Sequence, residues 1–278
     1  MSNLPFIKLG RGAQFHSFDM HNGRVLKIPL TEAETFAVAK QRHNVIHGTL
    51  EEIATLDVRV QTFMNSKARI PAMVDHQFLN PAPFLALLGN PQVLNSNTLL
   101  PEDTPFKKWG PGRVVYTQDK LDIVKHWLAY LRDQSNISTR DKKRFTKLIE
   151  DYIQHVYSLW EYGYGEYVFK LGDMGLDAKG RLRTVDLGEF TSDSTFLERA
   201  LEERWWQDNI NPHKTDFPKM PGELEPLYVQ LMSDALTPAE LAKRWRTKHE
   251  CTMCNSETTT IAAFVSTTVS EIDYIDRL

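Results

Sequence analysis

The most informative stretch for the fold of this chain is Gly180-Arg181-Leu182-Arg183-Thr184-Val185-Asp186-Leu187-Gly188. A β-prone run ends there on the carboxylate of Asp186, and a glycine follows two residues later. Such a carboxylate suits Mg²⁺, which proteins hold through one or two carboxylates together with phosphate oxygens. The residues Asp186-Leu187-Gly188 also fit an ordinary turn at the end of a hairpin. The segment therefore has to be judged by what accompanies it elsewhere in the chain.

The residues around Asp186 predict a helical second half that carries one small hairpin. Residues 139 to 162 place apolar side chains at three- and four-residue steps, which indicates a long amphipathic helix. Strands are predicted over 174 to 176 and 182 to 185, on either side of the turn Asp177–Gly180. Three further helices are predicted, over residues 121 to 133, over 196 to 208 and after the capping box at Thr237.

The first part of the chain is predicted to be rich in strands. Asn22-Gly23 separates two apolar-rich runs, and this dipeptide is a strong signal for a β-hairpin. Thr31 and Glu34 have the spacing of a capping box and predict the start of a helix. Residues 80 to 112 are rich in Pro, Asn and Gly, so we expect a long irregular excursion on the surface that carries at most short pieces of structure, followed by a buried strand over 113 to 117. Strands with inserted helices, followed by helices, make the predicted fold class α+β.

Bulk composition excludes several classes of protein. The 278 residues carry a formal net charge of -3, and no concentrated basic surface is visible, so we expect no nucleic-acid partner. The first residues lack the apolar core of a signal peptide, and no apolar run approaches the roughly 20 residues that span a bilayer. We therefore expect no membrane association and a cytoplasmic location.

The two cysteines, Cys251 and Cys254, form a Cys-x-x-Cys pair close to His249. Together these residues supply three of the four ligands of a structural zinc site. The fourth ligand would come from His213, from another remote side chain or from a second chain. Two reduced thiols without a metal are the alternative.

Two motifs near the N-terminus suit the phosphates of a nucleotide. Gly10-Arg11-Gly12 lies between predicted strands, and glycines let backbone N–H groups approach phosphates closely because no Cβ intervenes. Lys27 lies in the β-prone run Val25-Leu26-Lys27-Ile28, where an ammonium group would sit beneath that turn. Taken alone, the first motif fits an ordinary turn and the second fits a solvent-facing lysine on an edge strand.

Glycine turn, strand lysine and Asp186-Leu187-Gly188, in this order and separation, resemble the protein kinase superfamily, including its small-molecule phosphotransferase branches. The resemblance implies a two-lobed α+β fold that binds ATP and Mg²⁺. Its small β-rich N-lobe would comprise residues 1–117 and its mainly helical C-lobe residues 118–278. The catalytic-loop-like segment would be residues 163–190.

Counting back from Asp186 places Glu166–Asp173 over the catalytic loop of that family. Lys170 falls on the lysine that faces the phosphate, and Asp173 falls on the asparagine that binds metal. Glu166 replaces the family's histidine. Val168 stands where the catalytic aspartate belongs, and a valine can neither accept a proton nor orient a hydroxyl group. The resemblance therefore supports nucleotide binding better than it supports an ordinary kinase mechanism.

The resemblance also implies a role for each remaining position. Gly10 and Gly12 would cover the phosphates, and Lys27 would hold the α- and β-phosphates. Residues 117 to 119 would form the hinge, with Thr117 and Asp119 at its ends and its backbone reading adenine. The metal would be held by Asp186 with Asp173, while Lys170 and Glu166 are the candidate catalytic residues. The acidic partner of Lys27 stays open among Glu34, Glu52 and Asp57.

Two classes of function follow. The favoured one is an atypical ATP-dependent phosphotransferase that acts on a protein or small-molecule acceptor, with Glu166 as a possible substitute base. The alternative is a pseudokinase, which binds nucleotide or only keeps the fold and works as a scaffold or regulator. A transferase that moves another part of ATP, such as AMP, fits the same residues.

Overall fold

The computed structural model describes residues 6–11, 15–42, 82–94, 115–166, 169–187, 190–211 and 220–246. The strands are β1 (Ile7–Arg11), β2 (Phe15–Asp19), β3 (Arg24–Pro29), β4 (Gln92–Val93), β5 (Tyr116–Asp119), β6 (Asp122–Ile123), β7 (Gly165–Glu166), β8 (Met174–Leu176), β9 (Leu182–Thr184) and β10 (Phe190–Thr191). The α-helices are α1 (Glu32–Arg42), α2 (Ala82–Leu87), α3 (Val124–Arg132), α4 (Thr139–Glu161), α5 (Ser194–Glu202), α6 (Glu225–Ala235) and α7 (Pro238–Arg244). Short 3₁₀ helices cover Leu171–Asp173, Trp205–Asn209 and Gly222–Leu224.

The chain divides into a large compact unit, Met1–Trp245, and a second unit, Arg246–Leu278. The fold of the first unit is mixed α+β, with a five-stranded antiparallel sheet and a set of helices. Among the described helices, none combines the length and the apolar character needed to cross a membrane.

The five-stranded sheet has the order β1-β2-β3-β5-β4, with every neighbouring pair antiparallel. The hairpin predicted at Asn22-Gly23 is confirmed: it joins β2 to β3, and Gly23 has a φ of 79°. The side chain of Asp19 accepts a hydrogen bond of 2.9 Å from the backbone N–H of His21, which stabilises the tight turn. One face of the sheet buries Phe18, Leu26 and other apolar side chains.

Helix α1 begins at the capping box that the sequence predicts. The Oγ1 of Thr31 accepts a hydrogen bond from the N–H of Glu34, and the carboxylate of Glu34 accepts one from the N–H of Thr31. These two bonds satisfy backbone groups that the first turn of a helix leaves unpaired. Of the capping box predicted at Thr237, the N-cap half is confirmed, since the Oγ1 of Thr237 accepts from the N–H of Glu240 at the start of α7. The carboxylate of Glu240 accepts from Lys243 and Arg244.

The helices pack around α4, which supplies the centre of the largest buried cluster. Ser138 caps this helix by accepting a hydrogen bond from the N–H of Asp141. Apolar residues recur along one stripe of α4, and this stripe shares its buried cluster with residues of α3, α5, α6, α7 and the β8–β9 hairpin. The predicted period of the segment 139 to 162 is therefore the period of a core helix.

Three predictions about the chain path need correction. Residues 82 to 94 are not a surface excursion, because α2 buries Phe84 and Phe84 stacks on Tyr164 with ring centroids 4.8 Å apart. Residues 122 and 123 form β6 rather than the start of a helix, since they pair with β8. The segment 196 to 208 is interrupted at Arg204, whose φ of 55° ends the turn after α5 and starts a 3₁₀ helix.

We expect Gly175→Ala to destabilise the protein by about 1–3 kcal/mol, the usual cost of overpacking. Gly175 lies on β8, where an added Cβ would stand 2.6 Å from the Cβ of Leu121 and 3.3 Å from the carbonyl oxygen of Asp122. Neither atom is the end of a flexible side chain, so the backbone itself has to shift. The measurement is the free energy of unfolding in denaturant.

Gly222→Ala is the matched control for that substitution. Its added Cβ would meet no atom of the described part of the chain within 4 Å, and its φ is not positive. We expect the free energy of unfolding of this variant to stay within about 0.5 kcal/mol of the wild-type value. Equal stability of the two variants would contradict the packing described for Gly175.

Candidate nucleotide and metal site

The β8–β9 hairpin holds Asp173 and Asp186 close to each other. Asp173 immediately precedes β8, and Asp186 follows β9 after one residue, so both carboxylates lie at the open end of the hairpin. The N–H of Val185 donates a hydrogen bond of 2.7 Å to the carbonyl oxygen of Asp173. This bond fixes the backbone of the two carboxylates relative to each other.

The closed end of the same hairpin is set by Asp177. Its Oδ1 accepts hydrogen bonds from the N–H groups of Lys179 and Arg181, at 2.8 and 3.0 Å. Gly180 takes a φ of 72°, a conformation that glycine adopts without a steric penalty. The turn predicted at Asp177–Gly180 is therefore present, and it determines the register of the hairpin.

Lys27 belongs to a row of residues that crosses the whole five-stranded sheet. Gly10 pairs with Ser17, Ser17 with Lys27, Lys27 with Tyr116, and Tyr116 with Val93. Residues directly opposite each other on neighbouring strands lie on the same face of a sheet. Gly10 and Lys27 thus share one face, two strand spacings or roughly 10 Å apart. Among the described residues, none has an atom within 4 Å of the position that a Cβ on Gly10 would occupy, so they leave the face open there.

The ammonium group of Lys27 is surrounded by protein and lies near both carboxylates. Burial lowers the pKa of Lys27, while the negative charges of Asp186 and Asp173 act in the opposite direction. The residue as a whole keeps partial access to solvent. Partial access combined with strong desolvation is what a narrow cleft produces. The sheet and the hairpin therefore bring one cation and two anions, all distant in sequence, to one place.

Lys170 lies beside the same pair of carboxylates. Its Nζ is 3.7 Å from the Oδ2 of Asp173, and its side chain is only 14% exposed. The 3₁₀ helix Leu171–Asp173 separates the two residues by a single turn, with the N–H of Asp173 donating to the carbonyl oxygen of Lys170. Four of the residues proposed for the site, Lys27, Lys170, Asp173 and Asp186, thus form one cluster.

Two carboxylates alone form a partial ligand set for a metal. In the described part of the chain, no group of three or more His, Cys, Asp or Glu side chains is arranged to hold a metal ion. Mg²⁺ does not need such a group, because it commonly keeps several waters and is bound by one or two carboxylates plus phosphate oxygens. The donor set of Asp173 and Asp186 fits Mg²⁺ that arrives with a nucleotide.

Glu166 lies in β7 and is 5% exposed. The hydroxyl of Tyr152 donates a hydrogen bond of 2.8 Å to its Oε2. Burial raises the pKa of Glu166 to about 8; the charge of Asp173 adds to this, while the hydroxyls of Tyr152 and Thr184 oppose it. Its carboxyl group is therefore mainly protonated at neutral pH, which does not suit a general base. A catalytic role of Glu166 stays a prediction.

Thr117 and Asp119 belong to β5, and their side chains lie on the sheet face opposite Lys27. The Oγ1 of Thr117 accepts from Arg24, and Asp119 forms an ion pair of 2.8 Å with the same guanidinium. The N–H of Asp119 donates to the carbonyl oxygen of Gly89. The structure thus does not bring these two side chains into the cluster around Asp186. Recognition of adenine by this backbone stays a prediction.

Of the three acidic residues considered as partners of Lys27, the described part of the chain contains only Glu34. Glu34 binds Thr31 at the start of α1, and its Oε1 lies 2.9 Å from the Nε2 of His16. Burial opposes the charge on Glu34, but the hydrogen bonds from Thr31 and His16 outweigh it and lower its pKa. The charges that act on Lys27 come from Asp186 and Asp173. The predictions for Gly12, Glu52, Asp57, Val168, Gly188, His213, His249, Cys251 and Cys254 fall outside the described residues.

Two buried polar residues next to the cluster carry no signal in the sequence. The hydroxyl of Tyr116 has no hydrogen-bond partner among the described atoms. Burial raises the pKa of Tyr116 well above its usual value, and the charge of Asp186 adds to this. Gln118 donates to the carbonyl oxygens of Leu88 and Thr184, both at 2.6 Å, and so connects β5 to the β8–β9 hairpin. Only the tertiary fold reveals that these two side chains border the site.

Comparison with known proteins adds little to this geometry. No family model matches the chain, and no curated protein matches it. The chain is similar to WbdD in complex with the kinase inhibitor LY294002, with 13% identity and a TM-score of 0.39 over 86% of this chain and 46% of that chain. It is similar to a second crystal structure of WbdD with 12% identity and a TM-score of 0.38, over 88% of this chain and 47% of that one. The chain spans about half the length of these structures, and a likeness of this size carries no argument about function.

Proposed function

We propose that this chain binds ATP with Mg²⁺ as a kinase-like phosphotransferase. In this proposal residues 1–117 and 118–278 are two lobes, and the nucleotide lies in the cleft between them. The acceptor of the phosphoryl group is a protein or a small molecule. A five-stranded antiparallel sheet accompanied by helices fits such an α+β fold.

One observation carries the proposal: the fold gathers Lys27, Lys170, Asp173 and Asp186 into one cluster, in which both aspartates lie close enough to Lys27 for their charges to act on it. A half-buried cation and two half-buried carboxylates have little reason to gather for stability alone, because desolvating charges costs about as much as their attraction returns. An ATP–Mg²⁺ complex needs both signs of charge at once, a cation for its phosphates and carboxylates for its metal. The cluster meets this need.

Each residue of the cluster has a distinct task in this proposal. Lys27 neutralises the α- and β-phosphates, and the open face at Gly10 leaves room for the phosphate chain. Asp186 and Asp173 hold Mg²⁺, which neutralises charge on the β- and γ-phosphates. Lys170, beside Asp173, faces the transferred group. Phosphoryl transfer depends mainly on such positioning and charge neutralisation.

A pseudokinase is the second candidate, and a specific observation favours it. Val168 stands at the position of the catalytic base, and the nearest substitute, Glu166, is buried with a pKa raised to about 8. A chain with these residues retains what is needed to bind ATP and lacks an evident group to accept the proton of a hydroxyl acceptor. In that case the protein works through nucleotide-dependent binding.

Calorimetric titration with ATP and saturating Mg²⁺, followed by product analysis with a broad panel of acceptors, tests the proposal. Binding together with release of ADP supports the phosphotransferase, and binding without turnover supports the pseudokinase. Release of pyrophosphate with transfer of AMP would show that the protein is a transferase of AMP and not a phosphotransferase. Absence of binding would contradict both the kinase-like function and the nucleotide-binding pseudokinase.

A further inference from the structure

Asn209 ends the 3₁₀ helix Trp205–Asn209, and it is 1% exposed. It lies far from Lys170 in sequence, yet its carboxamide reaches the backbone on both sides of that lysine. The Nδ2 of Asn209 donates a hydrogen bond of 2.7 Å to the carbonyl oxygen of Phe169. Its Oδ1 accepts a bond of 3.1 Å from the N–H of Leu171.

The backbone that Asn209 binds is in an unfavourable conformation. Phe169 has a φ of 46°, in the left-handed region that residues with a Cβ rarely adopt, and its ring is fully buried. Such a conformation persists only where the surroundings impose it. The bond from Asn209 to the carbonyl oxygen of Phe169 supplies part of that constraint. The direction in which the next residue, Lys170, leaves the backbone follows from it.

The carboxamide is itself fixed in the core. Its Nδ2 also lies 3.0 Å from the carbonyl oxygen of Trp206 and 3.0 Å from the hydroxyl of Tyr228 on α6. The same hydroxyl donates a bond of 2.8 Å to the carbonyl oxygen of Trp206. The amide carries both a donor and an acceptor at its end, which is what these backbone groups require. Leucine, which has a similar volume, can make neither bond.

We infer that Asn209 is a positioning residue for Lys170: by binding the backbone on both sides, it holds the lysine side chain next to Asp173. This inference rests on the proposed function for its consequence, since Lys170 is the group that faces the transferred phosphoryl group. The geometric part of the inference is independent of ATP. Loss of the carboxamide should free Lys170 while leaving the phosphate contacts of Lys27 in place.

The test compares Asn209→Ala with wild type and with Tyr157→Phe. The control removes a partly buried hydrogen bond of 2.7 Å to the carbonyl oxygen of Ala235, away from the Lys170 loop. Acylation of Lys170 is measured by mass spectrometry relative to exposed Lys125 in the same folded sample, and amide exchange at Leu171 is measured in parallel. For Asn209→Ala we expect the labelling ratio to rise about 5-fold or more and exchange at Leu171 to accelerate roughly 10-fold, as the loss of one hydrogen bond allows. The control should change neither quantity.

An unchanged labelling ratio and unchanged exchange in folded Asn209→Ala would overturn the inference. So would an equal rise in the control, because a general loss of stability would then explain both. If Asn209→Ala does not fold, Asn209→Leu provides the same comparison, since it keeps the volume but loses both the donor to Phe169 and the acceptor for Leu171. Where the wild type turns over ATP, the variant should lose about 10-fold in kcat with the ATP Kd within about 3-fold. Failure of the wild type to bind ATP would contradict the proposed function and leave the labelling result standing.

Discussion

Replacing Lys27 with methionine should weaken the binding of ATP–Mg²⁺ by roughly 10- to 100-fold, the equivalent of one charge-assisted hydrogen bond. Methionine keeps most of the length and apolar volume of the lysine stem, so the packing of β3 should be preserved. The loss comes from the missing cation on the sheet face that also carries Gly10. The measurement is the ATP Kd by calorimetry in saturating Mg²⁺.

Lys125→Met is the matched control for the Lys27 variant. Lys125 is exposed on α3 and lies outside the candidate cluster. Its replacement removes the same charge from the protein as a whole, so it accounts for any effect of net charge on ATP binding. An ATP affinity of Lys27→Met within twofold of the control would show that the phosphates bind elsewhere.

Glu166→Gln should make the protein markedly more stable than wild type at alkaline pH. Burial raises the pKa of Glu166 from 4.5 to about 8. In the unfolded chain this carboxyl ionises above pH 4.5, whereas in the folded protein it stays protonated until about pH 8. Its contribution to stability is therefore fully present below the unfolded pKa and is lost as the pH rises through the folded pKa. The full loss is on the order of 5 kcal/mol, and glutamine, which does not ionise, should avoid it.

The measurement is the free energy of unfolding between pH 4 and pH 9, with Glu198→Gln as a control on the exposed face of α5. Buried His155 lowers the free energy of unfolding on the acid side of this pH range, because burial lowers its pKa to about 3. Its contribution is present above the unfolded value of 6.5 and is lost as the pH falls, and it should remain in both variants. A wild-type decline above pH 6 that persists unchanged in Glu166→Gln would contradict the assignment.

Features encoded by a few adjacent residues could be predicted from the sequence. Contacts within four residues are enough to form the Asn22-Gly23 turn, the capping interactions at Thr31 and Thr237, and the hairpin turn at Asp177. The long helix α4 shows its buried stripe in the spacing of its apolar residues. These signals are local, and tertiary contacts reinforce them rather than compete with them.

The corrected segments depend on contacts with distant parts of the chain. Helix α2 is only six residues long, and its burial follows from stacking on Tyr164. No local sequence pattern indicates that contact. Asp122 and Ile123 fit a helical pattern, yet pairing with β8 makes them a strand. Here tertiary pairing overrides local preference.

The candidate site shows the same division. Lys27, Asp173 and Asp186 could be selected because their order along the chain resembles that of a known superfamily, and the structure brings them together. Tyr116, Gln118 and Asn209 could not, because an isolated polar residue gives no sign that it will be buried beside a site. The same limit explains the burial of Glu166, whose hydrogen-bond partner Tyr152 lies 14 residues earlier, on α4.

We propose that Asp186 holds the metal of a bound nucleotide. The magnesium dependence of ATP binding tests this role most directly. ATP affinity is measured with and without saturating Mg²⁺ for wild type, for Asp186→Asn and for the exposed control Asp234→Asn. We predict that Mg²⁺ strengthens ATP binding about 10-fold or more in wild type and in the control, and by less than about twofold in Asp186→Asn. The same strengthening by Mg²⁺ in all three proteins, or no ATP binding by wild type, would contradict the account.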